Sequence, residues 1–370
     1  MKKRGSGWAV LVLVLALLVV VVVAACGSDE TATGDATGGT QEDLNYVMAV
    51  HYPTAPFQQA FRAGALEKAE ELGVSVEIRD GQDDSLKIMD IMDNAITQGA
   101  DGFIMAGTVD LKAIVPGIER LNEAGIPVCA LDSSPEGGKV AYYISFDLTE
   151  SSERATEAFI QGVKDRNGGE VPEGVVICVE GPPQDMFSQA CVQGFDNVMK
   201  DYPQLEVDAG AGNWNNDDSS KVVADKMTRH GDKVVGVYVI TPDIMGPGAV
   251  EAIRSQGEDP ADYGICGICI GPEGLALLQN KEALAIVEQP AKISAEMAVE
   301  LLTKINRGED VPQIGDTITE EGMIWSPAPV IDNPWAEGAY IKLSAPLVPT
   351  DVPVDEPQLW ENELKDLWTR

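Results

Sequence analysis

The sequence predicts an α/β fold of two similar lobes, each built on a parallel sheet, and three observations predict it. From Leu44 onward, short apolar runs alternate with stretches of helical periodicity. The same order of segments is then written a second time. From Leu44 about 300 residues remain for a folded body, enough for two lobes with cores of their own.

The chain opens with Lys2, Lys3 and Arg4 and carries no charge from Trp8 to Ala25, the positive-then-apolar order of a secretory signal. That run is only just long enough to span a bilayer, so length alone leaves a cleaved leader and an uncleaved anchor both open. Ala24 and Ala25 directly before Cys26 resemble the lipobox of bacterial lipoproteins. The resemblance implies removal of a signal peptide, residues 1–25, and diacylglycerol on the Cys26 thiol. Two or three acyl chains, at about 0.8 kcal/mol per buried methylene, hold a soluble domain at a membrane face. Residues 26–43, rich in Gly, Thr and acid, have the composition of a flexible linker.

In the first half, "LNYVMAV", "VSVEI", "GFIMA" and "IPVCAL" read as buried strands bounded by Gly, Asp and Pro. Between them, "FQQAFRAGALEKAEEL", "DSLKIMDIMDNAITQ" and "LKAIVPGIERLNEA" place apolar residues at three- and four-residue spacing, as a helix resting on a sheet does. The alternation means βαβ units and a parallel sheet. "FQQAFRAG" at 57–64 returns as "FSQACVQG" at 187–194, "DDSLK" at 83 as "DDSSK" at 217, and "GFIMAGTVD" at 102 as "GVYVITPDI" at 236. "PGIERLNEAG" near 116 and "PGAVEAIRSQG" near 247 keep almost the same separation. A parallel sheet offers its ligand site where loops leave the carboxyl ends of its strands. The loops after "VMAV", "GFIMA" and "PVCAL" are therefore expected to face those after "VICV", "VYVI" and "ICGIC" across a cleft.

Composition excludes several functions. Sixty acidic against 26 basic residues give a formal charge of −34, more negative still once the leader is removed. Nucleic acid and anionic lipid are poor partners for such a surface, which leaves the lipid anchor as the one expected membrane contact. Besides Cys26 there are Cys129, Cys178, Cys191, Cys266 and Cys269, an odd number in a chain expected outside the cytoplasm, so no disulfide scaffold is read. "CGIC" at 266–269 has the spacing of a redox pair but lies in a strand pattern, where residues three apart point to opposite faces; buried or cleft-lining thiols are expected. With only His51 and His230, no HExxH and no GxSxG, neither a metal nor a cofactor is expected, and His230 reads as a solvated helix end. "GAGNW" lacks the third glycine of a dinucleotide fingerprint.

Lipobox, spacer, duplicated lobes, "APF" before the first helix, "GIPVCALDSS" and "ALAIVEQPAKISAEMAVELL" together resemble the sugar-type substrate-binding proteins of ABC importers, the ribose-binding-like cluster of periplasmic binding proteins type 1. The resemblance covers roughly residues 44 to 330. It implies two Rossmann-like lobes joined by a three-strand hinge, with crossings near Phe146 to Leu148, Gln289 to Pro290 and Gly322 to Ser326. Position by position, Phe57 matches an aromatic that lies against a sugar face, Asp132 a carboxylate that accepts from two hydroxyls, and Gln289 in "VEQP" a hinge glutamine that touches ligand. Trp214 falls where the second lobe supplies its stacking aromatic, and Asp243 sits beside Pro242, which replaces a ligand-binding Asn. His51 ends the first strand, within reach of ligand. Ser133, Cys191 and Cys269 stand where relatives carry two arginines and an aspartate, so the bidentate grip on an aldopentose is weakened. A disulfide between Cys191 and Cys269 is a further expectation. Independently of the match, a sugar presents an apolar C–H face and a rim of hydroxyls, which two rings and a few carboxylates or amides suit.

The resulting expectation is an extracytoplasmic, lipid-anchored, monomeric receptor that takes a small hydroxylated solute and delivers it to an ABC permease. A polyol, a deoxy sugar, a nucleoside and a cyclic signalling sugar all remain open as solutes. A sensor lipoprotein and an extracellular hydrolase on the same scaffold are the alternatives, the latter disfavoured because no nucleophile pairs with a base at recognisable spacing. The N-terminal lobe is expected over 44–146 plus 290–325 and the C-terminal lobe over 147–289 plus 326–346. A tail, 347–370, has Trp360, Leu364, Leu367 and Trp368 at helical spacing and is expected to pack back on a lobe, with permease docking as the alternative.

Overall fold

The computed structural model describes residues 43–107 and 110–368. The leader, Cys26 and the linker up to residue 42 lie outside the described residues. Strands β1 (Asn45–Val50), β2 (Ser75–Asp80), β3 (Gly102–Ala106), β4 (Val128–Leu131) and β5 (Lys139–Ser145) are interleaved with helices α1 (Pro56–Leu72), α2 (Ser85–Gln98) and α3 (Val115–Glu123). Helix α4 (Leu148–Arg166) leads into β6 (Gly174–Glu180), α5 (Met186–Met199), β7 (Leu205–Ala211), α6 (Asn216–His230) and β8 (Val234–Val239). This series continues through α7 (Pro242–Ser255), β9 (Ile265–Ile268), α8 (Gly271–Gln279) and β10 (Ala283–Val287). After α9 (Ala291–Arg307) come β11 (Thr317–Ile318), β12 (Ala328–Asp332), β13 (Glu337–Lys342), β14 (Leu347–Val348) and two single-turn helices, α10 (Trp360–Glu363) and α11 (Lys365–Trp368).

These strands form two sheets, one of order β11-β12-β13-β5-β4-β3-β1-β2 and one of order β14-β10-β9-β8-β6-β7. Strands β1 to β5 pair in parallel, as do β6 to β10. Helices cover both faces of the first sheet, so β1 is buried on both sides: Tyr46, Met48 and Val50 join the core under α1 and α9, and Val47 and Ala49 join the core under α2 and α3. Among the described residues no helix is long and apolar enough to cross a membrane.

The internal repeat has a packing cause. Gly64 lets α1 close on α9, where a Cβ would press on the carbonyl oxygen of Lys292; its counterpart Gly194 lets α5 close on α4, where a Cβ would press on that of Thr149. The "DDSLK" and "DDSSK" copies both begin helices, but not in the same register. Asp84 caps α2 by accepting from the Leu86 N–H at 2.8 Å, whereas α6 starts nearly a turn earlier, with Asn215 accepting from the Asp218 N–H at 2.8 Å.

The chain passes between the sheets at Phe146–Asp147, at Glu288–Pro290 and between β13 and β14. The last passage corrects the expectation of a crossing near Gly322 to Ser326 and of a C-terminal-lobe segment at 326–346. Strand β13 pairs in parallel with β5, and β12 with β13, so Ala328 to Lys342 belong to the first sheet. Their alternating side chains fix this register: Ala339 and Ile341 enter the core under α9, while Tyr340 stacks on Tyr143 with ring centroids 4.6 Å apart. Only Leu347–Val348 reaches the second sheet, antiparallel to β10. The tail then packs across the hinge. Leu359 enters the second-lobe core, and Trp360 and Leu364 enter the first.

Candidate functional site

Parallel strands deliver their following loops to one edge of each sheet, and those of the first lobe carry His51, Asp83, Gly107 and Asp132. His51 follows β1 and is only 8 % exposed, and its Nδ1 has no hydrogen-bond partner among the described residues. Gly107, at φ 76°, follows β3; a Cβ there would lie 3.0 Å from His51 Nδ1 and 3.3 Å from Asp132 Oδ2, so its lack of a side chain leaves open the space on which both atoms converge. Asp132 follows β4 at φ 66°, a backbone that Asp tolerates better than most residues. Its carbonyl accepts from Tyr143 Oη at 2.9 Å and Ser145 Oγ at 3.3 Å, and its Oδ1 from Gln289 Nε2 at 3.0 Å. Phe57, in the first turn of α1, meets Phe61 edge-to-face at 6.0 Å and lies 6.3 Å from the His51 ring. Tyr52 Oη donates to Asp83 Oδ2 at 2.6 Å.

The second lobe contributes Asp185 and Trp214. Asp185 caps α5, Oδ1 accepting from the N–H groups of Phe187 at 2.8 Å and Ser188 at 3.2 Å, and its Oδ2 accepts from Trp214 Nε1 at 3.0 Å. The Trp214 ring meets Phe187 edge-to-face at 6.0 Å. Burial and then the charge of Asp185 push the Asp132 carboxyl up to about 7, against the hydrogen bond from Gln289. Burial lowers His51 while Asp83 and Asp185 oppose it; Tyr52 is pushed up to about 12, first by burial and then by Asp83 and Asp185. Asp185 thus lies near enough for its charge to bear on first-lobe groups from the second lobe.

Other sequence-predicted residues make their contacts within their own lobe. Asp243 is buried and its Oδ1 accepts from the Glu273 N–H at 3.1 Å, which ties α7 to the start of α8; burial pushes it up to about 7. Ser133 continues the Asp132 turn, its N–H donating to the Leu131 carbonyl at 2.7 Å. Cys191 is wholly buried on the core side of α5, and its carbonyl accepts from Ser152 Oγ at 2.6 Å; it presents no accessible surface to the cleft in this conformation. Cys129, Cys178, Cys191, Cys266 and Cys269 are all free buried thiols, so the expected Cys191–Cys269 disulfide is not formed. Burial raises both of these thiols well above the usual thiol value. His230 is not a solvated helix end: its Nε2 lies 2.8 Å from Asp208 Oδ2, beside Lys226 and Arg229.

Sequence reasoning missed Asp83, Asp185 and Tyr52. Asp83 opens "DDSLK" and Asp185 precedes the repeated Phe187, but an Asp at a strand-to-helix turn carries the same local signal whether or not it faces a cleft. A narrow pocket lined by Phe61, Asp132, Ser145 and Gln289 opens at the hinge. A larger cavity of about 330 Å³, walled by Glu288, Ile293, Trp325, Pro346 and Trp360, adjoins the hinge and is lined by none of the predicted site residues.

Comparison with known proteins agrees with this architecture. Residues 46–310 match the family model described as periplasmic binding protein domain. The chain is 28% identical to the ribose import binding protein of Bacillus subtilis over 273 residues, 74% of this chain and 85% of that protein. It is 24% identical to the D-apiose import binding protein of Actinobacillus succinogenes, over 74% and 87% of the two chains. Among solved structures, an ABC transporter solute binding protein from Bacillus halodurans with bound myo-inositol superposes with a TM-score of 0.68 at 19% identity, covering 87% of this chain and 99% of that one. One from Actinobacillus succinogenes with bound D-allose gives 0.68 at 16% identity, covering 82% and 97%.

Proposed function

We propose, on the premise that the chain belongs to the periplasmic binding protein domain family, that it is a receptor which closes two lobes over a small hydroxylated solute and delivers it to an ABC permease. In this reading the mature chain begins at Cys26 and is held by its lipid outside the cytoplasm, as a monomer. The single observation that carries it is the placement of Asp132: a first-lobe carboxyl at the end of β4, held at 3.0 Å by the hinge amide of Gln289 and close enough to the second lobe for the charge of Asp185 to raise it. A solute seated there touches both lobes and the hinge at once. It therefore stabilises the closed arrangement by contacts that an open one lacks, while the three crossings absorb the rotation.

Phe57 and Trp214 supply ring surface for an apolar sugar face, and Asp132, Gln289 and His51 supply polar contacts. Ser133, Asp243, Cys191 and Cys269 shape the walls in this reading, behind the atoms that meet solute. A micromolar affinity needs a net of only about −8 kcal/mol, within reach of two stacked faces and a few charge-assisted hydrogen bonds. Buried thiols and a His51 Nδ1 with no hydrogen-bonded nucleophile among the described residues favour binding over catalysis. The relatives named for ribose and D-apiose import support a sugar-like solute. Calorimetric titration of the intact chain with neutral and aminated sugars and cyclic polyols tests the reading; saturable one-to-one binding is expected, and no binding across the panel would overturn it.

A further inference from the structure

We propose that the solute held between the lobes carries a protonated amine alongside its hydroxyls, as an aminated sugar or an aminated cyclic polyol does. The inference rests on the receptor reading above and concerns only the charge of what that receptor takes.

The polar atoms of the cleft form an unbalanced set. Among the described residues, three of its side-chain donors are engaged by carboxylates: Gln289 Nε2 by Asp132 at 3.0 Å, Tyr52 Oη by Asp83 at 2.6 Å, and Trp214 Nε1 by Asp185 at 3.0 Å. The hydroxyls of Ser85 and Thr241, which can donate or accept, are buried without a partner among the described residues, and the rest of the open capacity beside them is acceptor capacity. Asp83 Oδ1 and His51 Nδ1 are both buried without a hydrogen-bond partner among the described residues, and Nδ1 converges with Asp132 Oδ2 on the space beside Gly107. In the Nε2-protonated tautomer of His51, Nδ1 accepts.

Charge points the same way. Among the described residues, the ion pairs of lysine and arginine involve none of Asp83, Asp132 and Asp185. The charges that reach His51, Tyr52, Asp132, Cys191 and Cys269 are all negative. Closing the lobes over a neutral solute leaves Asp83 and Asp185 in a water-poor gap with no opposite charge and leaves Asp132 neutral only while it keeps its proton, an unfavourable arrangement for the ionised set. An ammonium group supplies the missing charge together with three donors, and the Phe57 and Trp214 faces attract a cation further. A fixed metal ion does not fit, because no three His, Cys, Asp or Glu of the described residues are grouped to hold one. The same field disfavours uronates and phosphorylated sugars.

The test is calorimetry on the intact chain at pH 7 with matched pairs: D-glucosamine and D-glucose, D-galactosamine and D-galactose, an aminated inositol and myo-inositol. At least one amine is expected to bind roughly tenfold or more tightly than its neutral parent. Asp83→Asn, whose one amide oxygen can still accept from Tyr52 Oη and whose left-handed backbone Asn tolerates, is expected to lower the amine-to-parent affinity ratio at least about threefold. Neutral parents that bind as tightly as their amines, or an amine-to-parent ratio unchanged by Asp83→Asn, would overturn the charge inference and leave the receptor reading standing. Failure of every compound, neutral or aminated, would overturn both.

Discussion

Asp132 is where burial, backbone and charge act on one side chain. Its folded carboxyl titrates at about 7, against an ordinary value of 3.8, because burial and then Asp185 disfavour the ionised form. Between about pH 4 and 7 the folded protein therefore holds a proton that the unfolded chain has already released. Stability from this group is fully present below the unfolded value and is lost as pH rises through the folded one. Asp132→Asn removes the titration and keeps both the tolerance of a left-handed backbone and an acceptor for Gln289. Relative to the parent, the variant's thermal midpoint is expected to stand level at pH 4 and to climb towards pH 8, while solute affinity falls at least tenfold. Scanning calorimetry across that range checks it; an offset that is the same at every pH would contradict it. Asp132 was legible because it ends a strand in a run that matches relatives, whereas Asp185 was not. Asp84, Asp147 and Asp185 all cap helices, and only the placement of the α5 loop opposite Asp132 distinguishes the last of them.

The repeat is the element-scale feature that was readable, since the forces that wrote it act locally. A glycine one turn or more into α1 and into α5 permits a close helix contact in each lobe, and the unbroken apolar runs of the inner strands follow from burial on both faces of a parallel sheet. What stayed hidden were long-range choices. "EGAYIK" at 337–342 reads equally well as a strand of either lobe, and its parallel pairing with β5 depends on a neighbour almost two hundred residues away in sequence. The glycine argument carries its own test. Alanine at 194 would gain helix propensity of up to about 1 kcal/mol, but its Cβ would meet the backbone oxygen of Thr149, which has no rotamer to yield. Overpacking of this kind costs about 1–3 kcal/mol, so Gly194→Ala is expected to destabilise, with an unchanged denaturant slope. A stabilised variant in urea unfolding would show that α4 and α5 are less tightly engaged than the coordinates place them.

At the scale of the whole molecule, a single turn near the C-terminus joins hinge and both lobes. Trp360 Nε1 donates to the Gln289 carbonyl at 2.8 Å, Glu361 Oε1 accepts from the Gly271 N–H of the second lobe at 2.9 Å, and Glu363 pairs with Lys292 of the first at 2.8 Å. This turn lies against the hinge strand whose amide side chain holds Asp132, so the tail and the cleft share one mechanical element. Glu361 also faces Glu288 of the hinge, and each has a buried Oε2 without a hydrogen-bond partner among the described residues. Two neighbouring carboxyls in that setting do not both ionise: burial pushes both up, and each is raised further by the other or by Asp243. The folded protein thus retains protons here that the unfolded chain loses above the ordinary carboxylate range. Stability from the pair is present at low pH and declines as pH rises. Glu361→Gln keeps the acceptor for Gly271 and offers an amide donor to Glu288, so it relieves the conflict only where Glu361 would otherwise have to ionise. Its thermal midpoint is expected to match the parent's near pH 5 and to exceed it by about 2–4 °C near pH 8.5. Solute affinity measured at the two pH values should follow, because a hinge strained by paired carboxylates closes less readily than one that is not. An equal shift at both pH values would mean that the pair does not share a proton, and the tail would then be a packing element alone.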